Sequence, residues 1–274
     1  LEQETGKPVL GVLPYLHGLH IEAEDAVPGN TVSAKVARLK VVVPVLPHIA
    51  NHTDFDALRL HPDVDFQYVG LYEPIPSADL IILPGSKNVR SDLQHLQATG
   101  WQQALTRHLR YGGKLLGICG GFQMLGEMLH DPLGIEGEPG SSAGFGLLEM
   151  ETTLAASKRL ARIHGKLVFA EAPIEGYEIH MGVSKGKALD RPLLELEGQP
   201  EGALSADHQI AGTYLHGLFD HAAALACWLR WAGLSTAGQD FDYQALRESE
   251  LERLADCVER HLDWNRLTAW LPLT

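Results

Sequence analysis

Cysteine is scarce in this chain, with three in 274 residues, at 119, 227 and 257. An odd number so widely spaced excludes a disulfide framework and a CxxC metal or redox site, so each thiol is read in its own surroundings. Cys227 and Cys257 lie in helix-like stretches and read as small buried hydrophobes. Positive charge is also in short supply: 22 Lys and Arg against 35 Asp and Glu leave a net charge of −13, with no basic run. Nucleic acid and anionic membrane are therefore excluded as expected partners. No apolar stretch is long enough to span a bilayer, and the opening Leu1-Glu2-Gln3-Glu4 is too acidic for a secretory signal, so a cytoplasmic location is expected. There is no GxxxxGK[ST] phosphate loop, and Gly85-Ser86-Lys87 lacks its spacing, so ATP is not assigned to this chain. His17 and His20, with Glu22, Glu24 and Asp25 nearby, lack a metal-ligand spacing and read as a solvated loop; no metal is expected.

What is present is a composition that can bury a large core, 45% of it hydrophobic. Residues 7–14 read as a short buried strand, and 33–38 as a polar, helix-like stretch. The β-branched run at 39–46 reads as a buried strand that opens the main domain. Strands are expected at 67–71, 79–83 and 114–118, and helices at 89–97 and 102–111. This alternation implies a mainly parallel sheet with helices on both faces. Beyond residue 140 extra β segments appear, at 147–152, 162–169, 176–181 and 210–215. An amphipathic helix is expected over 239–266, from the spacing of Leu246, Leu251, Leu254, Val258 and Leu262. The expected division is a leading segment over 1–36, the main domain over 37–235 and a helical extension over 236–274.

The strongest chemical signal is residues 114–126, an apolar strand that runs into Cys119 between glycines and then into a helix. This is the sulfur form of a nucleophile elbow. Gly117, Gly120 and Gly121 are the small neighbours such a sharp turn requires, and the following helix points NH groups at the thiol, which favours the thiolate. A core strand ending in a glycine turn explains the glycines but gives no reason for the thiol at the apex. A proton shuttle is also needed. Among 14 histidines, His216 ends a β-rich run at Leu215-His216-Gly217, and His180 in the phrase at 176–182 is its rival. The run at 80–83 stops at Gly85 and Ser86, whose NH groups, with that of Gly120, are candidates for an oxyanion hole. Gln123, one turn into the elbow helix, and Tyr177, Glu178 and His180 are candidate substrate contacts.

These residues together resemble the class I glutamine amidotransferases, with their flavodoxin-like fold. Within that class the chain is most similar to the corrin-amidating branch, the cobyric acid synthase family. The similarity is carried by the phrases at 11–16, 51–56, 83–87, 144–148, 176–182 and 212–220 and by the Cys119 elbow. It implies Cys119 as nucleophile and His216 as proton shuttle in a Cys-His dyad, with glutamine as substrate. It also implies an ATP- and Mg²⁺-dependent synthetase domain that would amidate a corrin substrate with the ammonia, residues 1–36 being its remnant, and leaves a homo-oligomer open. Most class members carry a glutamate two residues after the histidine. Here that position is Leu218, so the partner of the imidazole is open between Asp220 and Glu178. An amidase acting on another amide, an a,c-diamide synthase and a non-catalytic module on the same fold are the alternative expectations.

Overall fold

Val41, Val42 and Val43 form an unbroken apolar run, and a strand without polar alternation has to be covered on both faces. In the computed structural model of the chain, which describes residues 1–21, 38–235 and 241–270, they lie in strand β1 (Leu39–Val45) and are fully buried. There follow β2 (Val64–Gly70), β3 (Leu80–Leu83), α1 (Val89–Ala98), α2 (Trp101–Arg110), β4 (Lys114–Ile118) and the short α3 (Gly120–Leu125). The β-rich part then supplies β5 (Glu151–Leu167), β6 (Ala172–Lys185), β7 (Leu194–Leu196), β8 (Gln199–Glu201), β9 (Ala203–Leu204), β10 (Ile210–Thr213) and β11 (Leu215–His216), before α4 (Ala222–Trp231).

One sheet has the order β9-β10-β4-β3-β1-β2, with β9 antiparallel and the other five strands parallel. Numbered along the chain, those five run 2-1-3-4-5, the flavodoxin-like doubly wound order, which places ligand sites at the carboxyl ends of the strands. Every residue of β3 is buried, as a strand in the middle of a doubly covered sheet must be. A second sheet, β8-β7-β5-β6-β11, is antiparallel along that path and built on the long β5–β6 ribbon. The run at 210–215, read as a single strand in the sequence, is divided between the two sheets. β10 pairs with β4 in the first, whereas Leu215 and His216 pair with Glu178 and Tyr177 in the second.

The elbow leaves no room for side chains. A Cβ on Gly121 would lie 2.0 Å from the carbonyl oxygen of Leu83, and one on Gly117 would lie 2.7 Å from backbone atoms of Gly121. Both obstructions are backbone and cannot rotate away. Gly121→Ala is therefore expected to force α3 off β3 and lower stability by about 3 kcal/mol or more, the upper end of overpacking costs. Urea unfolding of the variant and the wild type measures it.

Of the described residues, 1–21 and 242–270 make a separate, smaller unit. The strand expected at 7–14 is not formed: Gly11 makes a single bridge to Leu262, and Val12 is 76% exposed. Pro8 and Pro14 cannot donate to a ladder, and between them only Gly11 finds a bridge partner among the described residues. The expected helix over 239–266 is two helices, α5 (Tyr243–His261) and α6 (Trp264–Trp270). The chain turns extended at Leu262, and the Asp263 carboxylate accepts from the NH of Arg266, an N-cap that starts a new helix. The expected acidic loop at 22–25 lies outside the described residues, as does the helix-like stretch at 33–38 apart from Arg38. Among the described residues no helix is long and apolar enough to cross a membrane.

Candidate functional site

The site is built from four turns at the carboxyl ends of the parallel strands. β4 delivers Cys119, whose backbone takes φ 52° and ψ −106°. A non-glycine residue held at positive φ costs about 1–3 kcal/mol, and such strain persists where the surroundings over-determine it. Here the Cys119 NH donates to the carbonyl of Thr213 at 2.8 Å, and its own carbonyl accepts from Gln123 NH at 3.1 Å. The thiol lies at the start of α3, with Sγ 3.7 Å from the carbonyl of Ile179. Cys227 and Cys257 are buried in α4 and α5, away from any such turn.

Beyond β3, Gly85 and Ser86 pair with Ile49 and Ala50 in a short antiparallel bridge. A Cβ on Gly120 would lie 2.9 Å from the backbone nitrogen of Ser86, so this turn packs directly on the elbow. The Ser86 hydroxyl donates to Asp92 at 2.6 Å and is thereby engaged elsewhere. What the turn can offer a reacting carbonyl is backbone.

His216 is fully buried, at 0% exposure. Its Nδ1 donates to Asp54 Oδ2 at 2.6 Å, and the other carboxylate oxygen of Asp54 accepts from the NH of Gly217 at 3.1 Å. The Tyr177 ring stacks on the imidazole, with centroids 5.1 Å apart, and the Asn51 amide nitrogen lies 3.1 Å from Nε2. Burial works against a charged ring. The Asp54 carboxylate, and then a hydrogen bond and charge interaction with Cys119, outweigh it and raise the His216 pKa to about 10. At neutral pH the ring is therefore an imidazolium lying between a carboxylate and the Cys119 sulfur. The carboxylate that holds the imidazole is that of Asp54, and neither Asp220 nor Glu178 takes that place. Glu178 is paired with Arg159 instead. Leu218 is fully buried.

Cys119, Gly85, Ser86, Gly120, Gln123 and His180 line one cavity of about 270 Å³. Gln123 is 3% exposed, and its Oε1 finds no hydrogen-bond partner among the described residues. His180 donates from Nδ1 to the carbonyl of Gly182 at 2.9 Å and stacks on Tyr214 at 3.9 Å. Burial lowers its pKa, so the ring is neutral and its Nε2, also without a partner among the described residues, is an acceptor. Glu178 lies apart from these, lining a second cavity of about 560 Å³ that shares His180 and Met181 with the first. Tyr177 meets the site through the face of His216.

Sequence reasoning passed over Asp54 as a partner of His216, although it lies in the quoted phrase at 51–56. Its position after β1 carries no spacing that points to a histidine 162 residues away. Glu136 was also missed; it lines the Cys119 cavity and accepts from the Val89 NH at 2.6 Å.

A cysteine on a strained strand-to-helix turn, with an aspartate-held imidazole nearby and the backbone of a second turn packed against it, is an arrangement that can carry nucleophilic attack on an acyl carbon. The chain belongs to the CobB/CobQ-like glutamine amidotransferase domain family, whose pattern matches residues 40–224. Its fold is similar to that of a glutamine amidotransferase crystal structure at 18% identity and TM-score 0.54, covering 70% of this chain and 98% of that one. PurLQS from Thermotoga maritima matches at 18% identity and TM-score 0.49, over 65% of this chain and 87% of that one.

Proposed function

We propose that this chain hydrolyses glutamine through Cys119 and His216, with Asp54 holding the imidazole. The observation that carries this is the buried His216 ring, hydrogen-bonded through Nδ1 to Asp54 at 2.6 Å, beside a cysteine held at positive φ at the apex of the elbow. The Cys119 thiolate attacks the δ-carbonyl, and the oxyanion is met by backbone NH groups of Gly120 and the Gly85–Ser86 turn. His216 gives its proton to the departing ammonia and then takes one from the water that cleaves the thioester. The unpartnered acceptors Gln123 Oε1 and His180 Nε2 suit a substrate rich in NH donors, as glutamine is.

In the fuller reading the ammonia serves a cobyric acid synthase reaction. A synthetase partner would use ATP and Mg²⁺ to activate corrin side-chain carboxylates for amidation. The phrases at 176–182 and 212–220 and the CobB/CobQ-like family support that reading. No phosphate loop occurs in this sequence, so the ATP chemistry is assigned to the partner.

The test is covalent. A glutamine-like electrophile is expected to modify Cys119 well before Cys227 or Cys257, as read by peptide mass mapping, and free glutamine is expected to protect it. Preferential modification of either helical cysteine in the folded protein would remove the elbow from the mechanism.

A further inference from the structure

The strand that presents His216 changes sheets at Tyr214. β10 ends at Thr213 in the first sheet, and β11 begins at Leu215 in the second. A residue at such a crossing has left one ladder without entering the other, and its buried backbone NH needs another acceptor. Glu201, the last residue of β8, supplies it: Oε1 accepts from the Tyr214 NH at 2.8 Å, and Oε2 accepts from the Thr213 hydroxyl at 2.5 Å. The same hydroxyl oxygen accepts from the NH of Leu215 at 2.9 Å. Thr213 is also the residue whose carbonyl holds the NH of Cys119. One carboxylate thus fastens both sides of the crossing, two residues from His216 and one hydrogen bond from the nucleophile.

Glu201 is half-buried at the edge of the 560 Å³ cavity, and taking a carboxylate out of water is costly unless the hydrogen bonds it makes are needed. Burial raises the Glu201 pKa to about 7, with Thr213 and Tyr214 holding it down and Glu178 pushing it up.

We propose that Glu201 is a positioning residue for glutamine hydrolysis, holding the crossing at Thr213 and Tyr214 so that His216 meets Cys119 in register. This rests on the reading of Cys119 and His216 given above. Glu201 does not line the Cys119 cavity and touches no reacting atom.

The test uses the whole chain, with glutamate release and the rate of Cys119 alkylation by a glutamine-like electrophile as readouts, beside the thermal midpoint. Glu201→Ala is expected to lower kcat and the limiting alkylation rate by about tenfold or more while KM stays within about threefold, since small displacements of a reacting pair are that costly. Glu201→Gln can accept from the Tyr214 NH and donate to the Thr213 oxygen, and is expected to recover at least about fivefold of the lost rate. Glu201→Asp keeps the charge but falls one methylene short of bridging both groups, and is expected to lose at least about threefold. If Glu201→Ala does not fold, the aspartate variant decides. Rates within twofold of wild type in every variant that folds, even with a lowered midpoint, would reduce Glu201 to a purely structural role and overturn the proposal. Failure of the wild type itself to be alkylated at Cys119 would count against the reading of the nucleophile instead.

Discussion

Cys119→Ser is expected to abolish glutamine hydrolysis, with kcat falling by at least about a thousandfold, the scale on which removal of a nucleophile from a concerted unit is felt. The reason lies in the charge state of its neighbour. With Asp54 and Cys119 raising its pKa to about 10, His216 enters the reaction as an imidazolium, which can protonate departing ammonia but cannot deprotonate a serine hydroxyl. A cysteine meets less of this difficulty, because a thiol is a far stronger acid and a better nucleophile than an aliphatic hydroxyl. The serine hydroxyl is no larger than the thiol, and the Cys119 NH to Thr213 bond is backbone, so the fold should persist. Glutamate release measured beside an unchanged thermal midpoint checks this; a serine variant with a tenth or more of wild-type activity would remove the ion pair from the mechanism.

Asp54→Asn is expected to cost about 10³- to 10⁴-fold in kcat, the loss seen when the residue orienting a catalytic histidine is made neutral. The asparagine can turn an NH toward Nδ1, which selects the wrong tautomer and leaves the protonated ring without its counter-charge. The same variant has a signature in stability. The folded-state pKa of His216 is raised from 6.5 to about 10, so its stabilisation is fully present below about pH 6.5 and fades as pH rises through about 10. Wild-type urea midpoints should therefore fall between pH 6.5 and 10, and the fall should be much shallower in Asp54→Asn. Identical slopes would mean that Asp54 does not set the charge of the ring.

The Asp54 contact also marks where the sequence stops being informative. The buried strands at 39–45, 80–83 and 114–118, the helices at 89–98 and 101–110, and the elbow itself were legible because each is decided by neighbours within a few residues. Unbroken apolar runs demand cover on both faces, amphipathic spacing selects one helical face, and the glycines around Cys119 mark a sharp turn in the sequence itself, although Leu83 and Ser86, which crowd Gly121 and Gly120, lie far off in the chain. The stretch at 7–14 misled because apolar content makes a strand only where a ladder partner exists, and among the described residues only Gly11 finds one.

What the sequence by itself determined was therefore the doubly wound sheet, the cysteine elbow and a short list of candidate histidines. The tertiary structure decided the rest: that Asp54 rather than Asp220 or Glu178 holds His216, that Glu178 belongs to Arg159, and that Glu201 spans the crossing at Tyr214. Each of these is a pairing between charged or polar groups far apart in the chain. Such a pairing leaves no periodicity in the sequence, because its partners are brought together by the order of strands in the sheets and by where a strand passes from one sheet to the other.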